Sequence, residues 1–230
     1  QTEVDWRERH KMLRVMFPTS VYSDEAFYGI QFGYVKRPTH RNTSWDLAKF
    51  EVPAHKYADL SDNTKGAAIF TDCKYGFKIH ENIMEMNLLR SPTYPDPDAD
   101  IGKQKFTYSF YPHKHHFLNS DVINKSNEMN RLPLIYDNIK LDQPLEPLIK
   151  ILNKNISIEA IKKAEKENCY VIRLVEQFGK TCETGFELQD NYKLTETNLM
   201  EWEEFKTIKR DEKISFKPFE IKTYKIKGGK

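Results

Sequence analysis

One short segment concentrates the side chains of this 230-residue chain that are best suited to chemistry. Between positions 37 and 46 it carries two guanidinium groups, an imidazole, an amide, an indole and a carboxylate. These belong to Arg37, His40, Arg41, Asn42, Trp45 and Asp46. Hiding so many polar groups in a core would require a partner for each. Planar hydrogen-bonding groups beside an aromatic ring suit the hydroxyls and the C–H face of a sugar. The segment alone is therefore interpreted either as a well-bonded loop between strands or as a sugar-binding surface.

Two further clusters could hold a metal ion. In a strand, His113 and His115 would share a face, but the sequence places no carboxylate beside them, so we interpret residues 113–116 as an exposed basic turn. Residues 91–100 contain three prolines and three aspartates, which predicts an ordered surface loop rather than a regular element. Their spacing is not that of a calcium-binding helix–loop–helix. We therefore predict no metal ligands and no cofactor in this chain.

Composition excludes several function classes. The net charge of +2 argues against a nucleic-acid-binding protein, and no apolar run approaches the roughly 18 residues that a membrane span requires. The three cysteines are widely spaced and odd in number, which predicts reduced thiols and a cytoplasmic location. The chain starts with a polar segment that lacks Met, so we expect a piece of a longer polypeptide. Without a phosphate-cradling glycine loop or a nucleophile elbow, it is not equipped to act as an enzyme alone.

Hydrophobic periodicity predicts an all-β protein. Many short strand-like segments are separated by frequent turns, a pattern typical of β-sandwiches. The predicted strands are residues 11–17, 26–35, 50–57, 67–70, 77–80, 87–90, 106–111, 169–178, 184–188 and 214–226, and residues 132–136 could dock as an edge strand. Helix propensity is highest at residues 157–167 and 199–205. Pro144 and Pro147 predict a domain boundary between residues 137 and 148.

The run from Phe32 to Asp46, FGYVKRPTHRNTSWD, resembles the C-terminal region of glycoside hydrolase family 38 α-mannosidases of the cytosolic and microbial branch. The likeness continues in the same order along nearly the whole chain. It passes through Phe50-Glu51-Val52, Ala54-His55, Ala58-Asp59-Leu60-Ser61, Asp72-Cys73-Lys74-Tyr75-Gly76, Leu88-Leu89-Arg90-Ser91-Pro92, Ala99-Asp100-Ile101-Gly102, Phe106-Thr107-Tyr108, Arg173-Leu174-Val175-Glu176 and Pro218-Phe219-Glu220.

The resemblance implies a fold and a domain plan. Residues 1–140 would form part of a large β-sandwich of the supersandwich type, and residues 141–230 a smaller C-terminal β-sandwich. Residues 157–167 would then be a strand, and we follow the resemblance there because tertiary context overrides weak helix propensity. The family consists of retaining, metal-dependent, exo-acting α-mannosidases. Their aspartate nucleophile and zinc site lie in an N-terminal α/β barrel, which is expected upstream of residue 1.

The resemblance also implies a function. The chain would be the C-terminal part of a cytoplasmic α-mannosidase that hydrolyses terminal α-linked mannose of an oligosaccharide, and it would be inactive alone. It would brace its own N-terminal catalytic domain, which holds a divalent metal ion such as zinc, and the six residues between positions 37 and 46 would line the sugar pocket. Trp45 could instead anchor the core, and Asp46 could only pin the loop. Neither nucleic acid nor a membrane is an expected partner, and the family likeness allows a homo-oligomer. The alternatives are a free-standing carbohydrate-binding module and a structural interaction domain.

Overall fold

The computed structural model describes residues 1–137, 140 and 145–228, and most of its regular structure is β-strand, which confirms the all-β class. The chain divides into two compact units, Gln1–Leu134 and Ile135–Lys230. The predicted domain boundary lies between residues 140 and 141. Residue 141 and Pro144, which helped to predict this boundary, lie outside the described residues.

The first unit is built around two antiparallel sheets. Its strands are β1 (Thr2–Trp6), β2 (Leu13–Pro18), β3 (Glu25–Ile30), β4 (Gly33–Pro38), β5 (Val52–Pro53), β6 (Tyr57–Ser61), β7 (Lys65–Thr71), β8 (Gly76–His80), β9 (Ile83–Leu89), β10 (Gly102–Phe106) and β11 (Tyr108–Lys114). Helix α1 (Ser44–Ala48) follows β4, and a 3₁₀ turn (Phe117–Asn119) and helix α2 (Val122–Asn130) follow β11. A five-stranded sheet in the order β11-β7-β6-β3-β4 and a four-stranded sheet in the order β2-β9-β8-β5 enclose one hydrophobic core.

Strands β3 and β4 form a hairpin where the sequence predicted one strand over residues 26–35. The chain turns at Gln31 and Phe32, and Phe32 has a φ of +62°. Glycine is required at position 29, because a Cβ there would lie 2.3 Å from the carbonyl oxygen of His55. The hairpin register pairs Ala26 with Arg37, which determines where the candidate segment begins.

The prediction of an exposed basic turn at residues 113–116 is wrong for His113. This residue lies in β11, and its Nε2 is 2.6 Å from Oδ2 of Asp59 on β6, with both side chains almost fully buried. Gly66 on the intervening strand makes room, since a Cβ there would lie 2.5 Å from the imidazole. Sequence spacing could not reveal this pair, because the two residues are 54 positions apart.

The structure also tests several other local predictions. Residues 132–136 are exposed and form no strand, and α2 was not predicted. Thr107 separates β10 from β11 within the predicted strand over residues 106–111. Residues 91–100 form no regular element, as predicted, and the carboxylate of Asp100 accepts the backbone N–H groups of Arg90 and Ser91 at 2.9 and 2.8 Å.

The second unit is a smaller β structure with its own core. Its strands are β12 (Ile149–Ile151), β13 (Ile156–Lys163), β14 (Tyr170–Glu176), β15 (Cys182–Thr184), β16 (Phe186–Leu188), β17 (Tyr192–Thr197), β18 (Glu204–Ile208), β19 (Ile214–Phe216) and β20 (Ile221–Gly228). The main sheet has the order β13-β14-β20-β17-β18.

Two predictions for the second unit concern helix propensity. The strand assignment within residues 157–167 is confirmed by β13, whose side chains pack against β14. The helix predicted at residues 199–205 is wrong, because this segment is a turn that leads into β18. The long strand predicted over residues 214–226 is interrupted by a turn at residues 217–220.

Candidate functional site

The segment between positions 37 and 46 forms one side of a small recess in the first unit. Four of the six predicted site residues line it, namely Arg37, His40, Arg41 and Asp46. Its opposite side comes from β5 and β8, the edge of the four-stranded sheet, through Val52, Phe77 and Lys78 among others. Asn42 and Trp45 are not among the lining residues. The recess has a volume of about 40 Å³, which is room for a few water-sized groups.

Arg37 enters the recess from the inner face of the sandwich. It stands opposite Ala26 in the hairpin, and side chains of directly paired residues point to the same face. Ala26 is fully buried in the core, so the strand puts a guanidinium where an apolar side chain is usual. The guanidinium carbon lies 4.7 Å from the ring centre of buried Tyr28. The aromatic face therefore supplies a cation–π contact in place of a carboxylate.

One nitrogen of Arg37 lacks a hydrogen-bond partner. Its Nη1 is buried, and no acceptor reaches it from any residue that the structure describes. Burial lowers the pKa of Arg37, which the phenol of Tyr28 only partly opposes, and burial raises the pKa of Tyr28. Unpaired polar atoms of this kind are rare inside proteins and call for an explanation.

The loop beyond Arg37 is held by its own side chains. Thr43 caps α1: its Oγ1 accepts the N–H of Asp46 at 3.1 Å and donates to the Asp46 carboxylate at 2.7 Å. The hydrogen bond from Thr43 lowers the pKa of Asp46. His40 Nδ1 accepts the N–H of Asn42 at 3.3 Å and lies 3.9 Å from Asp46 Oδ2. Asp46 therefore holds the loop in place, which is the alternative role that the sequence predicted for it.

The side chains of α1 point away from the core. Trp45 is 80% exposed and Phe50, just beyond the helix, is 72% exposed, with Leu47 also exposed. No residue of α1 is buried. Trp45 is thus no core anchor in the described part of the chain. The loop instead presents large apolar side chains at the margin of a charged recess.

The acidic groups of the recess are already engaged. Glu51 pairs with Arg14 on the neighbouring sheet, and Asp46 is bound by Thr43 and lies 3.8 Å from Lys49. Lys78 pairs with Glu85 at 2.6 Å. Arg37 and Arg41 form no ion pair with any carboxylate in the ranges that the structure covers. The recess therefore carries a surplus of positive charge.

Sequence reasoning missed the half of the recess that comes from other strands. Lys78 and His80 join it because the two sheets pack face to face, and Tyr28 joins it because the β3–β4 hairpin places it beside Arg37. Lys49, Phe50 and Glu51 also line it, and here the resemblance at Phe50-Glu51-Val52 was an available signal. Within the described residues, no group of three His, Cys, Asp or Glu side chains could hold a metal ion.

Comparison with known proteins places both units in one family. Residues 1–98 match the model of the glycosyl hydrolases family 38 C-terminal domain, and residues 155–224 match that of the family 38 C-terminal beta sandwich domain. The chain is 39% identical to alpha-mannosidase G of Dictyostelium discoideum and 36% identical to an alpha-mannosidase of Saccharomyces cerevisiae, over 98% of its length in each case. It spans only 22% and 23% of those relatives.

A solved structure supports the fold. An alpha-mannosidase from Enterococcus faecalis aligns with 97% of this chain at a TM-score of 0.81 and 18% sequence identity, and the aligned part is 26% of that protein. At that identity the likeness concerns the fold alone. No helix in the described residues has the length and apolar character of a membrane span.

Proposed function

The chain belongs to the C-terminal region of glycoside hydrolase family 38, and from this membership we propose that it is the C-terminal part of a retaining α-mannosidase that hydrolyses terminal α-linked mannose. The observation that carries the proposal is the identity to two alpha-mannosidases along almost the entire chain. The substrate would be a mannose-containing oligosaccharide, and the location cytoplasmic.

The chemistry of bond cleavage is assigned to another domain. Retaining glycosidases need two carboxyl groups at a defined separation across the scissile bond. In the recess, Asp46 is tied to Thr43, and Glu51 to Arg14, so neither carboxylate is available for that work. Because the relatives are far longer than this chain and the matched models are C-terminal, the nucleophile and a divalent metal ion would lie in an N-terminal catalytic domain. The isolated chain would be inactive.

The recess would serve as one margin of the sugar pocket. At about 40 Å³ it cannot enclose a hexose by itself, since pockets for small molecules typically occupy about 300 Å³ or more. A second wall from the catalytic domain would complete it. His40, with its side chain 41% exposed, and Arg41 would donate hydrogen bonds to sugar hydroxyls, and exposed Trp45 would offer its ring face to the C–H face of a sugar.

Steady-state kinetics of the full-length protein test this assignment. With an aryl α-mannoside as substrate, His40→Ala and Arg41→Ala should each lower kcat/KM by roughly tenfold, as expected for a lost hydrogen bond to a sugar hydroxyl. Melting temperatures should stay near that of the wild type. The matched control is Lys36→Ala, because Lys36 lies on the opposite face of β4, where it pairs with surface Glu25 and lies over the ring of Phe27.

The outcomes separate the candidate roles. Unchanged kinetics with a lowered melting temperature would make the segment structural. Mannose binding by the isolated chain would favour a carbohydrate-binding module, for which the exposure of Trp45 is the supporting observation. Full-length protein without hydrolytic activity on any α-mannoside would contradict the proposed function itself.

A further inference from the structure

We infer that the recess receives an acidic side chain from the catalytic domain of the same protein, whose carboxylate pairs with Arg37 beside Arg41. The inference deepens the proposed function and rests on it, because it requires a catalytic domain that precedes this chain. It assigns these arginines to an interdomain ion pair in addition to the sugar margin.

The first argument is the state of Arg37. A guanidinium has five N–H donors in a fixed fork that matches a carboxylate. In the described part of the chain, this fork has a cation–π contact with Tyr28 but no acid, and buried Nη1 has no acceptor. Buried charges in folded proteins are normally paired. An anion from outside the chain would satisfy both the charge and the open donor.

The second argument is that the recess cannot supply this anion. Its carboxylates, Asp46 and Glu51, already bind Thr43 and Arg14. Moving Asp46 to Arg37 would break the hydrogen bond that Thr43 donates to it, and moving Glu51 would leave Arg14 with only its 2.8 Å contact to Glu85. The surplus positive charge is therefore built into the fold and is complementary to an acidic partner.

The third argument is size and surroundings. A volume of about 40 Å³ admits a carboxylate group but not a sugar ring. Exposed Trp45, Leu47 and Phe50 stand in the adjoining loop. Aromatic side chains around a desolvated arginine are the composition of energetically important protein–protein contacts. This favours a protein side chain as the source of the carboxylate over a free anion.

The fourth argument concerns which protein provides it. The chain spans less than a quarter of the mannosidases that it matches, and the matched models describe C-terminal domains. Most of the polypeptide of such a protein is therefore available in cis, at a high effective concentration. A carboxylate from that part of the protein needs no separate partner.

Zero-length cross-linking of the full-length protein tests the inference. An Arg37→Lys variant is treated with a water-soluble carbodiimide, which activates a carboxylate so that a neighbouring amine forms an amide, while the reagent takes up the elements of water and leaves as a urea. Peptide mass spectrometry then identifies the joined residues. We expect an amide between position 37 and an acidic residue that precedes this chain, absent from the wild type.

The chain contains its own positive control. Lys36 Nζ lies 2.9 Å from Glu25 Oε2, so this amide should form in the wild type and in the variant. The inference is overturned if the Lys36–Glu25 amide forms but position 37 links to nothing, or only to acids of this chain. If Arg37→Lys does not fold, Arg41→Lys is used under the same criteria.

The result is distinguishable from a failure of the proposed function. Absence of the cross-link, together with a lowered kcat/KM for Arg41→Ala, would reject the interdomain pair and retain the arginines as sugar ligands. Absence of α-mannosidase activity in the full-length protein is decided by kinetics and does not depend on the cross-link.

Discussion

The recess of the first unit and the main sheet of the second unit treat buried charge in opposite ways. In the second unit, the ammonium group of Lys225 is 1% exposed and pairs with Glu167 and, at 3.0 Å, with Glu204. Fully buried Glu176 accepts the backbone N–H groups of Phe178, Phe219 and Lys180 at 2.9, 3.0 and 3.1 Å. In the recess of the first unit, Arg37 has an aromatic contact and an open donor instead.

The difference separates two uses of charge. A buried ion with partners inside its own unit holds strands and turns together, and its removal should destabilise the fold. A half-buried ion without such partners contributes little to the fold and is free to bind something else. The contrast makes the recess a candidate for function.

The largest effect is expected at Glu176. Replacement by Ala removes the acceptor of the three backbone N–H hydrogen bonds, each of which contributes about 1 kcal/mol or more. Glu176→Ala should therefore lower the free energy of unfolding of the second unit by roughly 3 kcal/mol. Hydrogen exchange of the β14 and β20 amides measures this loss.

A surface pair provides the control for that comparison. Glu187 lies 3.3 Å from Lys150, and both side chains are more than half exposed. Glu187→Ala should change the unfolding free energy by less than about 0.5 kcal/mol. Equal losses in the two variants would mean that burial of Glu176 adds nothing, and the contrast between the units would lose its basis.

A smaller, pH-dependent effect is expected at the internally paired His113 of the first unit. Burial lowers the pKa of His113, but the hydrogen bond and charge of Asp59 raise it by more, so the net pKa lies above its ordinary 6.5. The folded state then keeps a proton that the unfolded state loses. This contribution to stability is complete below pH 6.5 and disappears as the pH rises through the folded pKa.

Urea-induced unfolding above pH 6.5, followed by the fluorescence of Trp6 and Trp45, measures this loss. The wild type should lose up to about 1.4 kcal/mol per pH unit relative to His113→Gln, which has no titrating group at this position. If the unfolding free energies of the two proteins change with pH in the same way, the Asp59–His113 pair does not retain an additional proton in the folded state.

Motif resemblance identified the family, and hydrophobic pattern identified many strands: the apolar run at residues 67–70 indicates a strand buried on both faces, and alternation at residues 77–80 indicates burial on one face. Sequence reasoning failed where contacts between residues that are distant in the sequence determine the local structure. The segment at residues 199–205 has helix-forming residues, but Thr197 and Asn198 hydrogen-bond to the backbone of Trp202 and Glu203 and hold a turn. The long apolar run over residues 26–35 concealed the hairpin turn at Phe32.

The candidate site was also predicted only in part. Residue type alone identified Arg37, His40, Arg41 and Asp46, which the fold gathers in one recess. Spacing could not show that Tyr28 would lie under Arg37, or that β8 would form the opposite side. It also could not show that the carboxylate of Asp46 would accept a hydrogen bond from Thr43, because this contact depends on the conformation of Thr43 as the N-cap of α1. Whether the six residues contact substrate stays a prediction.

If Arg37 binds a partner outside this chain and does not stabilise the fold, its replacement should leave the stability unchanged. The stability of the Arg37→Met variant is the most direct test. Methionine keeps the length of the side chain, loses a cation–π contact worth about 0.5–1 kcal/mol and removes a half-buried charge that lacks a counterion. The free energy of unfolding of the first unit, from urea titration of the 230-residue chain, should therefore stay within about 1 kcal/mol of the wild type or rise. A loss of roughly 3 kcal/mol, as for Glu176→Ala, would contradict the account, because Arg37 would then be a structural ion like those of the second unit.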